Sequence, residues 1–348
     1  MFDISSPFVS GLFSYFSSIF SSFIGSGLLA DSLSLLFSLV VFVILLSILI
    51  TVFSYTFGWA ERKIIARAHS RRGPTYVGRY GILQNLADVL KLISKENIIP
   101  DSADKPLFVI MLPIIYAIFI IILAFIPLNS VFVGINSSLG LLAIFIILSF
   151  TPLLLFLVAW TSGNKFSSIS AQRSVVILIS YEIPLILVVV AIALLANSFS
   201  LTNIISAQQN LWFAFLMPIG FIIFFIVLMA ELERPPFDLR EADSELIAGW
   251  LTDVSAPFYA VALFLDYTRV FVGSLLVVTL FFGGWLGPGF IPPFISLMAK
   301  VVAVTLFVIF LRATTVRMRI DRVLRLGWLY LMPLAVVNLL ITFLIFIK

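Results

Sequence analysis

The feature that most constrains this chain is a series of apolar segments, each long enough to cross a lipid bilayer. We count eight segments, because a helix of about 20 apolar residues matches the hydrocarbon thickness of a bilayer. Lipid offers the backbone no hydrogen-bond partners, so these segments are predicted to be α-helices. The predicted spans cover residues 33–57, 107–126, 139–160, 174–196, 210–230, 258–282, 293–311 and 328–347.

Composition excludes several classes of protein. Hydrophobic residues make up 62% of the 348 residues and charged residues only 11%, so we predict an all-α polytopic membrane protein. The absence of cysteine and the single histidine, His69, exclude disulfides, thiolate-held iron–sulfur clusters and multi-histidine metal sites, and no metal site is expected. The net charge is +4, and the basic residues lie beside the predicted spans, so no nucleic-acid partner is expected.

Lysine and arginine are concentrated in the loops after alternate spans. The loops after the first, third, fifth and seventh spans hold almost all of them, whereas loops 127–138, 197–209 and 283–292 carry no charge. By the positive-inside rule the charged loops are predicted to be cytoplasmic. We expect one domain over residues 31–348, with cytoplasmic loops 58–106, 161–173, 231–257 and 312–327. Residues 1–30 are expected to form an interfacial or half-inserted helix, with a ninth span as the alternative.

The first charged loop holds nine lysines and arginines between residues 62 and 105. Residues 61–72 read ERKIIARAHSRR, a pattern that predicts a helix on the membrane surface, ended by Gly73-Pro74. A second amphipathic helix is predicted over residues 82–93. Two interpretations of the basic residues stay open. They bind lipid headgroups, or they line a cavity for a ligand with a polar head and an apolar tail.

Four ionisable residues lie inside predicted spans, where an isolated charge is costly. Glu182 lies roughly 13 Å from the nearer end of the fourth span, at about 1.5 Å per residue. Asp266 and Arg269 share one face of the sixth span. Lys300 lies at a similar predicted depth in the seventh span, so we expect all four residues in one layer. Tyr181 and Tyr267, which neighbour the two acids in sequence, are expected to carry hydrogen bonds between those acids. They form either a proton-conducting path or a static network that fixes helix packing.

The second charged loop, residues 231–245, carries six carboxylates around a Pro-Pro pair. Such a run is usually a solvated surface. This loop departs from the positive-inside bias, Pro235-Pro236 stiffens it, and Phe237 and Leu239 require burial. We therefore predict a functional loop that collects protons or accepts a basic partner.

Several stretches together resemble one known family. They read AERKIIARAHSRRGP at 60–74, YGILQNLADVLKLISKENIIP at 80–100, ISYEIP at 179–184, ERPPFDLREADSELIAGW at 233–250, LDYTR at 265–269, FFGGW at 281–285 and RMRIDRVLRLGW at 317–328. In this order they resemble the H subunit of respiratory complex I, known in mitochondria as NADH dehydrogenase subunit 1. The first 30 residues carry no such match.

The resemblance implies a membrane subunit of a proton-pumping quinone oxidoreductase with no redox centre of its own. It implies eight spans and a surface helix, a tunnel that admits a quinone from the bilayer, and the start of a polar axis that couples quinone chemistry to proton pumping. The implied partners are an iron–sulfur subunit carrying the clusters, a peripheral quinone-site subunit, small membrane subunits, antiporter-like subunits and membrane lipid. The implied location is a prokaryotic plasma membrane.

Residues are assigned to these two roles from the resemblance and the charge pattern. The quinone tunnel is expected to involve Arg62, Arg67, Arg71, Phe237 and Asp238. Proton coupling is expected to involve Glu182, Glu233, Glu241, Asp243, Glu245, Asp253, Asp266, Arg269 and Lys300. The sequence identifies neither the electron donor nor the quinone.

Two other functions remain as alternatives. Membrane subunits with this architecture also serve energy-converting hydrogenases and ferredoxin-driven ion pumps, where no quinone need bind. A stand-alone transporter or channel is disfavoured, because the chain shows no inverted repeat and its two large charged loops indicate a partner.

Overall fold

α-Helices form nearly all of the regular structure, as the spans predict. A computed structural model of the chain describes residues 2–3, 7–24, 28–240 and 243–347, and these confirm an all-α polytopic membrane fold. The helices are α1 (Pro7–Ile24), α2 (Leu28–Ala68), α3 (Gln84–Ile93), α4 (Lys105–Phe125), α5 (Gly140–Thr161), α6 (Lys165–Ala196), α7 (Leu201–Ala207), α8 (Phe213–Leu216), α9 (Pro218–Glu231), α10 (Asp243–Leu246), α11 (Ala256–Phe281), α12 (Pro293–Thr314), α13 (Ile320–Arg325) and α14 (Met332–Ile347).

Within the described ranges, seven helical stretches are long and apolar enough to cross a membrane. They comprise α2, α4, α5, α6, α11, α12 and the stretch Ile320–Ile345, in which a π-helical turn, Leu326–Leu331, joins α13 to α14. The predicted span 210–230 is instead divided into α8 and α9. Met217 leaves the helical region directly before Pro218, which disfavours the helical conformation of the residue that precedes it. The 14 residues of α9 therefore reach only about 21 Å.

The predicted surface helix over residues 61–72 is not a separate element. Its first eight residues continue the first span, so that α2 is one helix of 41 residues and about 62 Å. Only Gly58 interrupts the good helix formers between the apolar run and the charged run, and its cost of about 1 kcal/mol does not end the helix. The helix ends at Ala68 rather than at Gly73-Pro74, and Ser70 follows in the left-handed region with φ of 54°. The second predicted amphipathic helix is present as α3.

The charged loops meet at one end of the helix bundle, which we call the charged end. Ion pairs join the end of α2 to residues 234 and 312, and hydrogen bonds join residue 102 to 162 and residue 164 to 253. The loops predicted to share one side of the membrane therefore do lie together. Helix α6 begins at Lys165, inside the segment 161–173 that was expected as a loop, because Asn164 caps it by accepting from the Phe166 backbone N–H.

The central helix is α11, in which every residue from Thr268 to Phe281 is buried. It packs against α2, α4 and α12, while α6 packs against α5, α9 and α14. Helix α9 contacts both α6 and α11. Tyr181 of α6 and Arg269 of α11 are buried, whereas Glu182 and Asp266 are half-buried.

The N-terminal region folds onto the first span. Helix α1 packs along α2, with the rings of Phe16 and Phe37 4.8 Å apart. A two-residue strand β1, Phe2–Asp3, pairs antiparallel with β2, Asn136–Ser137, in the uncharged loop after α4. The expected helix in this region is thus present, and its depth in a membrane stays a prediction.

Candidate functional site

A cavity of about 450 Å³ lies at the charged end, between the end of α2, α11 and α12. Its lining is Glu61, Arg62, Ile65, Ala66, Arg71, Arg72, Gly73, Pro74, Tyr267 and Arg312. Of the predicted tunnel residues, Arg62 and Arg71 line this cavity, whereas Arg67 is exposed and does not. The cavity is therefore a cationic chamber, bounded on one side by apolar residues of α2.

A narrower apolar cleft of about 50 Å³ adjoins the cavity. Helices α2, α3 and α11 form it, and Arg62 and Tyr267 border both spaces. Gly58 allows the three helices to come so close, because a Cβ there would lie 2.7 Å from Asn85 and 3.1 Å from Tyr267. An apolar cleft and a polar cavity are thus neighbours at this end of the bundle.

An ion pair fixes α3 against α2 beside this cleft. The Arg62 guanidinium lies 2.5 Å from the Asp88 carboxylate, and Asn85 donates to the Tyr55 backbone carbonyl at 2.9 Å. Burial raises the pKa of Asp88, but hydrogen bonds from Arg62 and Gln84 outweigh it, so that the pKa falls below its usual value. Asp88 therefore stays ionised and holds Arg62 between cleft and cavity.

Glu61, on the inner wall of the cavity, is a buried carboxylate that joins three segments of the chain. It pairs with Arg312 of α12 and, at 3.3 Å, with Arg234 of the loop after α9. Arg234 also lies over the Tyr267 ring, 5.7 Å from its centroid. This cluster was not predicted as a site from the sequence.

A second buried cluster lies where the loop after α9 meets α6 and α11. Glu233 pairs with Arg240 and, at 3.0 Å, with Arg269, and both guanidinium groups are only 2% exposed. Arg269 also donates to the Glu231 backbone carbonyl at 3.1 Å, and the Tyr181 hydroxyl donates to the Glu231 carboxylate. Two acids and two arginines thus balance one another in the protein interior.

The structure brings three of the four predicted intramembrane residues near this second cluster. Glu182 follows Tyr181 on α6, and its charge acts on that of Glu231. Asp266 lies one turn before Arg269 on α11, and its charge acts on Arg269. The two tyrosines do not link Glu182 to Asp266 as expected, because Tyr181 bonds to Glu231 and Tyr267 lies against Arg234.

Lys300 lies apart from this layer, contrary to the prediction. Its ammonium donates to the backbone carbonyls of Phe282, Gly284 and Leu286, at 2.8, 3.0 and 2.5 Å. These carbonyls follow the end of α11, about 20 Å along the helix axis from Arg269. Helix α12 begins at Pro293, as the predicted span does, and Lys300, about two turns from that start, extends its side chain toward the end of α11 instead of toward Arg269. Lys300 therefore stabilises a helix end by satisfying its carbonyls.

The acidic loop is anchored by its apolar residues and by its last carboxylate. Phe237 and Leu239 are buried, as their position in the loop required. Phe237 and the half-buried Asp238 do not line the cavity, although both were assigned to the tunnel. Glu245 pairs with Arg173 at 2.6 Å and with Arg317 at 2.5 Å. Glu241 and the side chain of Asp243 lie outside the described part of the chain.

The pairing of Glu245 predicts a pH dependence. The Arg173 hydrogen bond outweighs the small effect of burial and lowers the pKa of Glu245 below that of an unfolded chain. The contact therefore stabilises the loop above the unfolded pKa of about 4.3 and is lost as the pH falls through the lower folded value. We expect the backbone amides of residues 245–251 to lose protection across that acidic range, measured as their exchange rate relative to an unstructured peptide at the same pH. Glu245→Gln should show the lower protection already at neutral pH, and an unchanged profile in that variant would contradict the assignment.

Asp253 lies in a different part of the charged end. It accepts from Asn164 at 3.2 Å and Ser167 at 3.3 Å, which are at the start of α6. It also borders an open groove of about 510 Å³ with Lys95 and Glu96. The geometry separates Asp253 from both buried clusters.

Four arginine and glutamate partners of the two clusters were missed from the sequence: Glu61, Arg234, Arg240 and Arg312. The sequence pattern did not single out these arginines, because charged residues in a loop are usually solvated. A usable signal was present, since Arg234 and Arg240 flank the buried Phe237 and Leu239 in sequence. Arginines between buried residues need internal partners.

Comparison with known proteins gives a consistent result. Residues 39–343 match the family model described as NADH dehydrogenase. Among similar curated proteins is the H subunit of NADH-quinone oxidoreductase, from Bacillus thuringiensis (strain Al Hakam), Bacillus cereus (strain AH187) and Bacillus anthracis (strain A0248). Each is 41% identical to this chain over 290 residues, which is 82% of this chain and 87% of the relative.

Proposed function

The chain belongs to the NADH dehydrogenase family, and from this premise we propose that it is the membrane subunit of a complex-I-like proton-pumping oxidoreductase. In this role the chain forms the access tunnel for a quinone and the start of the proton-coupling axis. Its similar relatives are subunits of an enzyme complex named for NADH and quinone. Electrons reach the quinone from an iron–sulfur cluster held by a partner subunit.

The observation that carries the tunnel proposal is that the apolar cleft and the cationic cavity share Arg62 and Tyr267 in their linings. A quinone has an apolar tail and a polar head, so it requires an apolar path that ends among hydrogen-bond donors. The cleft at Tyr55, Leu263 and Phe264 suits the tail, and the donors of Arg62 and Arg71 suit the head. Of the predicted tunnel residues, we retain these two arginines.

Reduction of the quinone changes charge at the end of this path. The quinone takes up two electrons from the partner's cluster and two protons to give a quinol. Developing negative charge on its oxygens is stabilised by the guanidinium groups of Arg62 and Arg71, which line the cavity. The cavity residues therefore bind and orient the quinone and stabilise its reduced state, while the redox chemistry is performed by the partner's cluster and the quinone.

The second buried cluster supplies the start of the coupling axis. Tyr181 donates to the buried Glu231, the charge of the half-buried Glu182 acts on Glu231, and that of the half-buried Asp266 acts on Arg269. Intramembrane acids of this kind commonly serve proton relays. Glu233 and Arg269 form an ion pair there, so we assign them to holding the relay in place. Glu245 and Asp253 lie outside this cluster, and Lys300 stabilises a helix end.

Glu182 provides the test of the coupling role. We expect Glu182→Gln to assemble but to stop turnover or abolish pumping, because an amide cannot exchange a proton at this position. The measurement is acidification of proteoliposomes that contain the complete complex during donor-driven quinone reduction. Glu96→Gln, which changes an exposed acid in the same way, is the matched control. Full pumping by Glu182→Gln would remove Glu182 from the axis.

The composition of the native complex tests the wider proposal. Gentle extraction followed by mass spectrometry should identify an iron–sulfur subunit and antiporter-like membrane subunits with this chain. Quinone reduction by the purified complex should be blocked by quinone-site inhibitors. A partner that carries intact nickel–iron ligands, together with no quinone reduction, would instead support the function of an energy-converting hydrogenase.

A further inference from the structure

A group of backbone oxygens converges on one point beyond the end of α11, far from the charged end. The 26 residues of α11 rise about 39 Å, so its last residue, Phe281, lies at the opposite end of the helix bundle. Just beyond it, three backbone carbonyls accept hydrogen bonds from the Lys300 ammonium. They belong to Phe282, Gly284 and Leu286, at 2.8, 3.0 and 2.5 Å. We call these three carbonyls the carbonyl cradle, and it uses all three N–H groups of the ammonium.

The shape of the cradle is set by a turn that contains two glycines. Gly283 and Gly284 have φ of 70° and 52°, in the left-handed region that glycine adopts without steric cost. The Gly284 amide donates to the Val278 carbonyl at 2.9 Å, and the Leu286 amide donates to the Gly283 carbonyl at 2.9 Å. The Gly283 carbonyl is thus used inside the turn, whereas the carbonyls on either side of it face Lys300.

A second side chain holds this turn independently of Lys300. The amide of Gln208 is buried, and its oxygen accepts from the Gly283 backbone N–H at 2.9 Å. Its nitrogen donates to the Thr279 carbonyl of α11 at 3.1 Å. The turn is therefore attached to the end of α11 by a residue that does not touch the cradle oxygens. Removal of the ammonium should leave these oxygens in place but without donors, which is costly for partly buried carbonyls.

The charge of Lys300 is balanced by neutral groups. Among the ion pairs formed within the described residues, none includes Lys300. The carbonyls at the end of α11 supply partial negative charge, and the Trp212 ring lies 5.2 Å from the ammonium nitrogen. Neutral carbonyl oxygens that replace a hydration shell suit monovalent cations, whereas Mg²⁺ and Ca²⁺ are usually bound with carboxylates.

We propose that the carbonyl cradle is a binding site for a monovalent cation, in which the Lys300 ammonium is the permanent, covalently attached occupant. An ammonium ion and K⁺ are similar in size, so oxygens arranged around one also fit the other. Because the ammonium cannot diffuse away, the site stays closed to mobile cations at this end of the bundle. This inference goes beyond the proposed function and involves no quinone.

The experiment measures the heat stability of the purified native complex in KCl and in N-methylglucamine chloride at equal ionic strength. N-methylglucamine is too large to enter the cradle. In Lys300→Ala the ratio of native to unfolded chain should rise with K⁺ concentration, by about ten-fold at about ten times the Kd. The unmodified complex should show the same ratio in both salts, because its ammonium already occupies the site. Lys300→Ser carries the same prediction if the alanine variant does not assemble.

The matched control is Lys105→Ala, which removes an exposed ammonium whose carboxylate partner is Asp101. This variant should respond equally to the two salts. Equal stability of Lys300→Ala in both salts would overturn the cation site, and so would a K⁺ response of the same size in Lys105→Ala. A K⁺ response in the unmodified complex would contradict the permanent occupancy by Lys300, and an equal gain with MgCl₂ at the same ionic strength would contradict the preference for monovalent cations. Each of these results leaves the proposed function intact, because quinone reduction is not the quantity measured.

Discussion

Glu233→Ala is expected to destabilise the protein by about 3–5 kcal/mol, the usual cost of removing one member of a buried ion pair. The substitution leaves the guanidinium groups of Arg240 and Arg269, each 2% exposed, without their shared carboxylate. The two like charges then face each other in a medium that screens them poorly. The loop after α9 should detach from α11, and the assembled complex should be depleted from membranes.

The measurement is the amount of this chain in the assembled complex, on native gels after mild heating of detergent-solubilised membranes. Glu245→Ala is the control, because it also removes a carboxylate from between two arginines, but at the surface, where such pairs contribute at most about 1 kcal/mol. Glu233→Asp should recover part of the stability. Wild-type assembly and heat resistance in Glu233→Ala would show that the buried pairing does not stabilise the fold.

Ile65→Trp is expected to lower kcat/KM for a long-tailed quinone by about 30-fold, equivalent to about 2 kcal/mol of transition-state binding. Ile65 lines the cationic cavity, and the larger indole would occupy space that the quinone head needs. The partner's iron–sulfur clusters should still be reduced by the donor, because the substitution lies in the membrane subunit. If the substitution affects quinone binding alone, KM should rise while kcat stays unchanged.

The control for this prediction is the same substitution at the next position. Ile64 is also half-buried at the end of α2, but it lines neither the cavity nor the apolar cleft. Ile64→Trp should therefore keep kcat/KM within about three-fold of the unmodified complex. A kcat/KM in Ile65→Trp as high as that in Ile64→Trp and in the unmodified complex would exclude the cavity as the route of the quinone.

Sequence reasoning predicted the long helices well, because apolar length is a strong signal wherever lipid is the solvent. It failed where a local break or a continuation decided the outcome. The break at Met217-Pro218 shortened the fifth span, whereas Gly58 did not end α2, which extends to 41 residues. The position of Lys300 was also misjudged, although α12 begins at Pro293 as the predicted span does, because the direction of a long side chain cannot be read from hydropathy, and its ammonium reaches the carbonyls after α11.

The candidate site could be predicted only in part. The resemblance pointed to Arg62 and Arg71, and both line the cavity. The partners of the buried acids could not be deduced, because pairs such as Glu61–Arg312 and Glu233–Arg269 join residues 251 and 36 positions apart. Which of several arginines meets which acid depends on the packing of three or four helices. That information is absent from the spacing of any one segment.

The central claim is that a quinone reaches the cationic cavity through the apolar cleft, and photochemical labelling tests it most directly. A photoreactive quinone analogue, activated in the native complex and mapped by mass spectrometry, should label residues 61–74 and 263–267, and excess natural quinone should displace it. Labelling confined to other segments of the chain, or labelling of these segments that excess quinone does not reduce, would contradict the account.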